Sequence, residues 1–226
     1  MKRRLIVLSA VVPALLLAPL AEARVVVAPS SANEGGTVVT PTRVSSRTLR
    51  KSIYEAAAAR KAKLVKSSAT LDATYKNDTY GVQVSVPSTW DKRELNQEEE
   101  SLTLVVMFLS PSVKAGLIRQ NINLVVEELA NKKMTLNEYT EMGIEKEKGF
   151  FDSFVLESSV RTIVAGKAAQ RVIFSADLNG QEMKFEQIWF FTAPGKVHVW
   201  TFADSQENFA AHVTLFEHMM ASMTVK

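Results

Sequence analysis

The chain contains no cysteine. Disulfides, thiolate metal sites, a cysteine nucleophile and lipid attachment at cysteine are therefore excluded. Histidine is nearly as scarce, with three in 226 residues. Imidazole chemistry is thus confined to His198, His212 and His218. There is no glycine-rich phosphate loop, no Gly-x-Ser-x-Gly elbow and no His-Glu-x-x-His pair. After residue 20 no stretch is long and apolar enough to form a membrane-crossing helix. A chain without covalent staples depends on its core, and one domain of about 150 residues can supply it.

The ends are more informative than these absences. Met1-Lys2-Arg3-Arg4 is cationic, Leu5 to Leu20 is almost wholly apolar, and Ala21-Glu22-Ala23 has the small-x-small form that signal peptidase cuts. This predicts a signal peptide over 1–23, cleavage between Ala23 and Arg24, and an exported protein. The alternative is an uncleaved anchor, but Pro13 and Pro19 interrupt the run. Residues 24–69 carry nine Lys or Arg against two acids, a net charge of +7, whereas residues 70–226 carry fifteen against twenty-one, a net −6. The basic object is a tether, not the domain, so the overall charge gives no reason to expect nucleic acid as a partner.

Within the tether, residues 24–45 are rich in Pro, Ser and Gly and read as linker. Leu49, Ile53, Ala56, Ala57 and Leu64 then recur at helical spacing among basic residues. Arg43, Arg47, Arg50, Lys51, Arg60, Lys61, Lys63 and Lys66 could meet an anionic membrane surface or an acidic protein. The competing reading is a solvated spacer, because an alanine face buries little area.

From about Tyr75 the patterning becomes that of a folded domain over 70–226. Val82, Val84 and Val86 alternate with Gln83 and Ser85, the mark of a half-buried strand. Leu102–Leu109 and Ile122–Leu129 suit inner strands, and Lys92–Ser101 reads as a solvated connection. Thr135 and Glu138 form a capping box that opens a helix, with Gly149 expected to close it. Period-two segments follow near 154–163, 168–176, 182–192 and 197–203, and Asn179-Gly180 is a strong hairpin signal. A last helix, about 206–222, carries a stripe of Phe209, Val213, Phe216, Met220 and Met223. The predicted order β-β-β-α-β-β-β-β-α indicates a single α+β domain with a mainly antiparallel sheet flanked by helices.

Candidate sites are sparse. His198 alternates with Trp200 and Phe202 and reads either as a partly buried histidine bonded to a neighbour or as a metal or partner ligand. His212 and His218 lie about 120° apart around a helix and cannot chelate one ion together, although either could share a zinc ion with a carboxylate. Glu98-Glu99-Glu100 and Glu127-Glu128 lack the ligand spacing of a calcium loop and read as acidic surface. Trp90, Trp189 and Trp200 read as core, and Asn77-Asp78-Thr79 is a glycosylation sequon.

In order, Tyr80-Gly81-Val82 to Val86-Pro87-Ser88-Thr89-Trp90, Asn121 to Glu127, Met134 to Thr140, Gly166 to Val172, Gln187-Ile188-Trp189 and Lys196 to Phe202 resemble the PsbP-like family over residues 75–226. The resemblance implies an α/β/α sandwich without enzymatic activity. It also implies an accessory role, docking on the lumenal side of a membrane complex and helping it retain calcium and chloride where the host is photosynthetic. Photosystem II and the thylakoid lumen would then be the setting. Elsewhere the family consists of periplasmic or secreted domains. The expectation is a monomeric, non-catalytic module that needs no cofactor, with calcium or zinc as possible ions, and that meets a membrane-associated complex through its basic arm.

Overall fold

The computed structural model describes residues 70–99, 101–111, 118–151 and 153–226. Residues 1–23, assigned to a signal peptide, the expected cleavage site at Ala23 and Arg24, and every basic residue assigned to the tether lie outside the described residues. The described chain runs β1 (Ala73–Asn77), β2 (Val82–Val86), β3 (Asp91–Glu99), β4 (Leu102–Leu109), β5 (Asn121–Glu128), α1 (Leu136–Phe150), β6 (Val155–Val164), β7 (Lys167–Leu178), β8 (Gln181–Ala193), β9 (Lys196–Ser205), α2 (Phe209–Ser222) and β10 (Thr224–Val225). Seven strands form one sheet in the order β3-β4-β5-β9-β8-β7-β6, and β1-β2-β10 form a second of three. Every pairing is antiparallel. The α+β sandwich is as expected.

The middle of the large sheet is apolar on both faces, so both must be covered. In β9, Val197 and Val199 face one side, while Trp200 and Phe202 face the other. On the first side α1 lies over β8, bringing Tyr139 edge-on to Trp189 at 5.5 Å. On the second, α2 contributes Phe209, Phe216, Met219 and Met220, and β2 contributes Val82, Val84 and Val86. All three tryptophans are core residues, Trp90 included.

Local signals place the elements. Thr135 accepts from the Glu138 amide at 3.2 Å, and the Glu138 carboxylate accepts from the Thr135 amide at 2.7 Å, so the predicted capping box opens α1. Asn179 and Gly180 both adopt positive φ, 55° and 77°, which is the conformation a two-residue hairpin between β7 and β8 requires.

Several expectations are corrected. Gly149 does not close α1. The helix continues through Phe150, and the Phe151 backbone N–H caps it by donating a hydrogen bond to the Glu147 carbonyl. The cause is packing: Phe151 must reach Phe174 and Phe185, 5.8 and 5.3 Å away between ring centroids. The stretch after Lys92 is a strand, β3, at the sheet edge. Its charges on both faces hid it, since an edge strand far from the core has no apolar period to show. The strands β1 and β10 were also not foreseen, being only five and two residues long.

Glu127 is not acidic surface. It is buried, accepts from Tyr139 Oη at 2.8 Å and pairs with Lys146 at 3.1 Å. Burial first, and then the Glu127 charge, holds the Tyr139 phenol well above its ordinary pKa. On the opposite face Arg171 grips the buried Glu186 through two bonds of 2.7 and 2.9 Å and reaches Glu217 of α2 at 2.7 Å. Burial raises the Glu186 carboxyl pKa even though Arg171 pulls it down.

His198 is fully buried between Phe190 and Val126, its cross-strand neighbours. Neither ring nitrogen meets a hydrogen-bond partner among the described residues, which corrects the expected bond to a neighbour. Burial, with the charges of Lys196 and Lys167, lowers its pKa from 6.5 to about 4.

Two measurements test this packing. A Cβ on Gly143 would lie 2.7 Å from Trp189 Cη2, whereas nothing lies within 4 Å of one on Gly149. Gly143→Ala overpacks a rigid ring at about 1–3 kcal/mol, against about 1 kcal/mol gained in helix propensity. It is expected to lower the urea midpoint, and Gly149→Ala to raise it by about 0.5–1 kcal/mol equivalent. For His198 the unfolded chain takes up the proton first. Its share of stability is therefore complete above pH 6.5 and lost as pH falls towards 4, a loss of about 2 kcal/mol by pH 5. His198→Phe is expected to remove that part of the pH dependence; equal slopes for the two proteins between pH 6.5 and 5 would refute the assignment.

Candidate functional site

An edge strand presents a row of backbone donors and acceptors that a further strand can pair with. The large sheet has two such edges, and their chemistry is opposite. β3 carries six charged side chains in nine residues, and its register breaks between Glu94 and Gln97, where Asn96 sits at φ 45°. Charge and a bulge both discourage pairing there.

The other edge, β6, has the sequence Val-Leu-Glu-Ser-Ser-Val-Arg-Thr-Ile-Val. Val155, Leu156, Val160 and Ile163 are 57, 40, 48 and 75% exposed, and Phe150 at the end of α1 is 40% exposed. These five are all the exposed large hydrophobic residues among the described ones. Their gathering on one strand and the helix end leading into it is what an interaction surface looks like.

Pairing with β7 fixes which way each residue points. Leu156 stands opposite Phe174 and Ser159 opposite Val172, so both project to the α1 side, as do Arg161 and Ile163. Ser158 and Thr162 oppose Ile173 and Ala169 and project to the α2 side, with Val155, Val160 and Val164. A bulge between Leu156 and Ser158 resets the alternation. Glu157 is tied to Lys184, and Arg161 to Asn137 at the start of α1. The two ionic groups of β6 are thus held back along the sheet rather than aimed outwards.

The predicted metal residues do not converge. His198 is enclosed in the core, His212 Nδ1 meets Asp204 Oδ2 at 2.7 Å on α2, and His218 is exposed on the same helix. Among the described residues no group of three or more His, Asp or Glu side chains could hold an ion, and no helix is long and apolar enough to cross a membrane. An open depression of about 310 Å³ lies between the β8–β9 turn and the approach to α1, lined among others by Lys132, Lys133, Met134 and Phe191. The basic tether residues, assigned to partner or membrane contact, fall outside the described residues. Sequence reasoning found β6 as a strand but missed it as an edge. The one available signal was its broken alternation, two apolar residues at each end and one in the middle.

No protein-family model matches the chain, and no curated protein matches it significantly. Solved structures do. The solution structure of cyanobacterial PsbP (CyanoP) from Synechocystis sp. PCC 6803 aligns with a TM-score of 0.51 at 12% identity, over 68% of this chain and 92% of that one. A Pseudomonas aeruginosa protein of unknown function, PA94, described as a putative regulator, aligns at 0.47 and 14% identity, over 68% and 96%. LpqN, involved in cell envelope biogenesis of Mycobacterium tuberculosis, aligns at 0.48 and 12% identity, over 64% and 83%. At such identities the likeness is one of architecture, and the fold is PsbP-like.

Proposed function

We propose that this chain is a non-catalytic binding or accessory module, exported and stationed at a membrane-associated complex. The observation that carries the reading is the gathering of four of the five exposed large hydrophobic residues of the described chain on the β6 edge, with the fifth, Phe150, at the helix end leading into it. Two further features support it. The buried charges Glu127 and Glu186 are each held by a cation and packed beneath a helix, as structural ties. The tether brings eight basic residues from Arg43 to Lys66, a charge suited to an anionic surface. In this reading the arm supplies attraction and the sheet edge supplies a specific protein contact. In a photosynthetic host the complex would be photosystem II, on its lumenal side.

The test is recovery on membranes of the native host, comparing the mature protein, a form lacking residues 24–69, and Ile163→Lys. Polybasic contacts contribute about 1 kcal/mol per residue near an anionic surface, and the Debye length shrinks to about 3 Å at 1 M salt. Deleting the arm or raising the salt is therefore expected to lower recovery by more than tenfold. Ile163→Lys, which blocks the edge, should lower it too. Recovery that ignores all three changes would make the chain a free exported domain whose arm is only a spacer.

A further inference from the structure

We propose that the β6 edge pairs with β6 of a second copy of this chain, joining two seven-stranded sheets into one across a two-fold axis at Val160. The inference rests on the reading of β6 as an interaction surface and goes further by naming the occupant.

The case lies in the register. A two-fold axis perpendicular to the sheet runs the second β6 antiparallel to the first and keeps each face on its own side. Residues directly opposite each other must therefore point to the same face. In a strand without a bulge, an axis at Val160 would set Leu156 opposite Val164 but the charged Glu157 opposite Ile163. The bulge takes Glu157 out of the pairing. With the axis at Val160, Val160 stands opposite Val160 of the second copy, Ser159 opposite Arg161, and Ser158 opposite Thr162. Beyond the bulge residue Glu157, Leu156 stands opposite Ile163 and Val155 opposite Val164. Every pair matches in face: Leu156, Ser159, Arg161 and Ile163 lie on the α1 side, and Val155, Ser158, Val160, Thr162 and Val164 lie on the α2 side.

The pairing is also matched in chemistry. Apolar residues meet apolar residues at both ends and at the axis, and hydroxyl residues meet hydroxyl or guanidinium groups between them. Glu157 and Arg161 are the only ionisable residues on β6, and neither faces a like charge across the axis. An arbitrary foreign strand would have to reproduce this spacing, bulge included, whereas a second copy does so by symmetry. The charged, bulged β3 at the far edge stops further growth, so the assembly closes as a dimer instead of extending as a fibre. This departs from the monomer expected from sequence, where no edge was visible.

The experiment exploits the absence of cysteine. In an antiparallel pair the Cα atoms lie about 4.5–5.5 Å apart, inside the range of about 4.4–6.8 Å that a disulfide spans. In the mature full chain, Val160→Cys places one thiol opposite its own copy and is expected to oxidise to a linked dimer at micromolar concentration. Ile163→Cys is the more exposed but faces Leu156 of the second copy, so it should link at least tenfold more slowly. Sedimentation of the unaltered chain should give twice the mass of one chain. Val160→Lys, which opposes two ammonium groups at the axis, should give a single chain with unchanged circular dichroism.

A single-chain mass at every concentration, or equal linking at positions 160 and 163, overturns the proposal. The accessory reading then has its own outcome. If Ile163→Lys still lowers recovery on host membranes, the edge takes a strand of another protein and only the occupant is wrong. If it has no effect either, both fail.

Discussion

The structure depends on one constraint: β9 is buried on both faces at the centre of an antiparallel sheet. From Val197 to Asp204 every residue is buried. A half-solvated sheet is the more usual antiparallel arrangement, with one face apolar and one polar. Here Val199 and Trp200 are neighbours on opposite faces, so exposing either would uncover a large apolar area. The rest of the architecture answers that demand. One layer is a single helix; the other is a helix together with a three-stranded sheet. The C-terminal β10, two residues long, locks onto β2 and so ties the chain end beside α2.

Covering both faces also determines where charge can go. Glu127 and Glu186 lie on the inner strands β5 and β8, under opposite layers, and each is neutralised by a cation brought from a neighbouring element. Removing one partner of such a pair leaves an uncompensated buried charge, which is far costlier than losing an exposed ion pair. These ties fix the helices in register over the sheet: Lys146 holds α1, and Arg171 reaches Glu217 on α2.

Sequence legibility followed distance from the core. Where a strand is half-buried or wholly buried, its pattern showed: β2 alternates, β4 and β5 are apolar runs, and α1 opens on a capping box. Where a strand meets solvent on both faces, the pattern failed. β3 looks like a polar loop because its ladder to β4 uses backbone groups that no side chain advertises. Glu127 beside Glu128 looked like surface, because adjacent residues of a strand point to opposite faces and only one of them is under α1. His198 was placed on the correct face, yet its lack of a partner is a property of tertiary packing that no spacing encodes. The expected tether, the expected cleavage site and the basic residues from Arg43 to Lys66 are readings of the sequence alone and lie outside the described residues.

The asymmetry of the two sheet edges follows from the same packing. The outermost strand of a covered sheet lies beyond the reach of the helices, so its side chains answer to solvent alone unless another chain is present. β3 conforms: charge on both faces, and a bulge. β6 does not. Four exposed apolar residues on an edge carry a standing risk of unspecific pairing, which an edge facing water has no reason to retain. Their arrangement is not that of a uniform sticky strand either. The bulge at Glu157 shifts the apolar pair Val155-Leu156 by one position relative to Ile163-Val164, and this shift aligns the two ends under two-fold symmetry. A bulge placed only to discourage pairing would not need that alignment. The same local irregularity that protects one edge of this sheet gives the other a register.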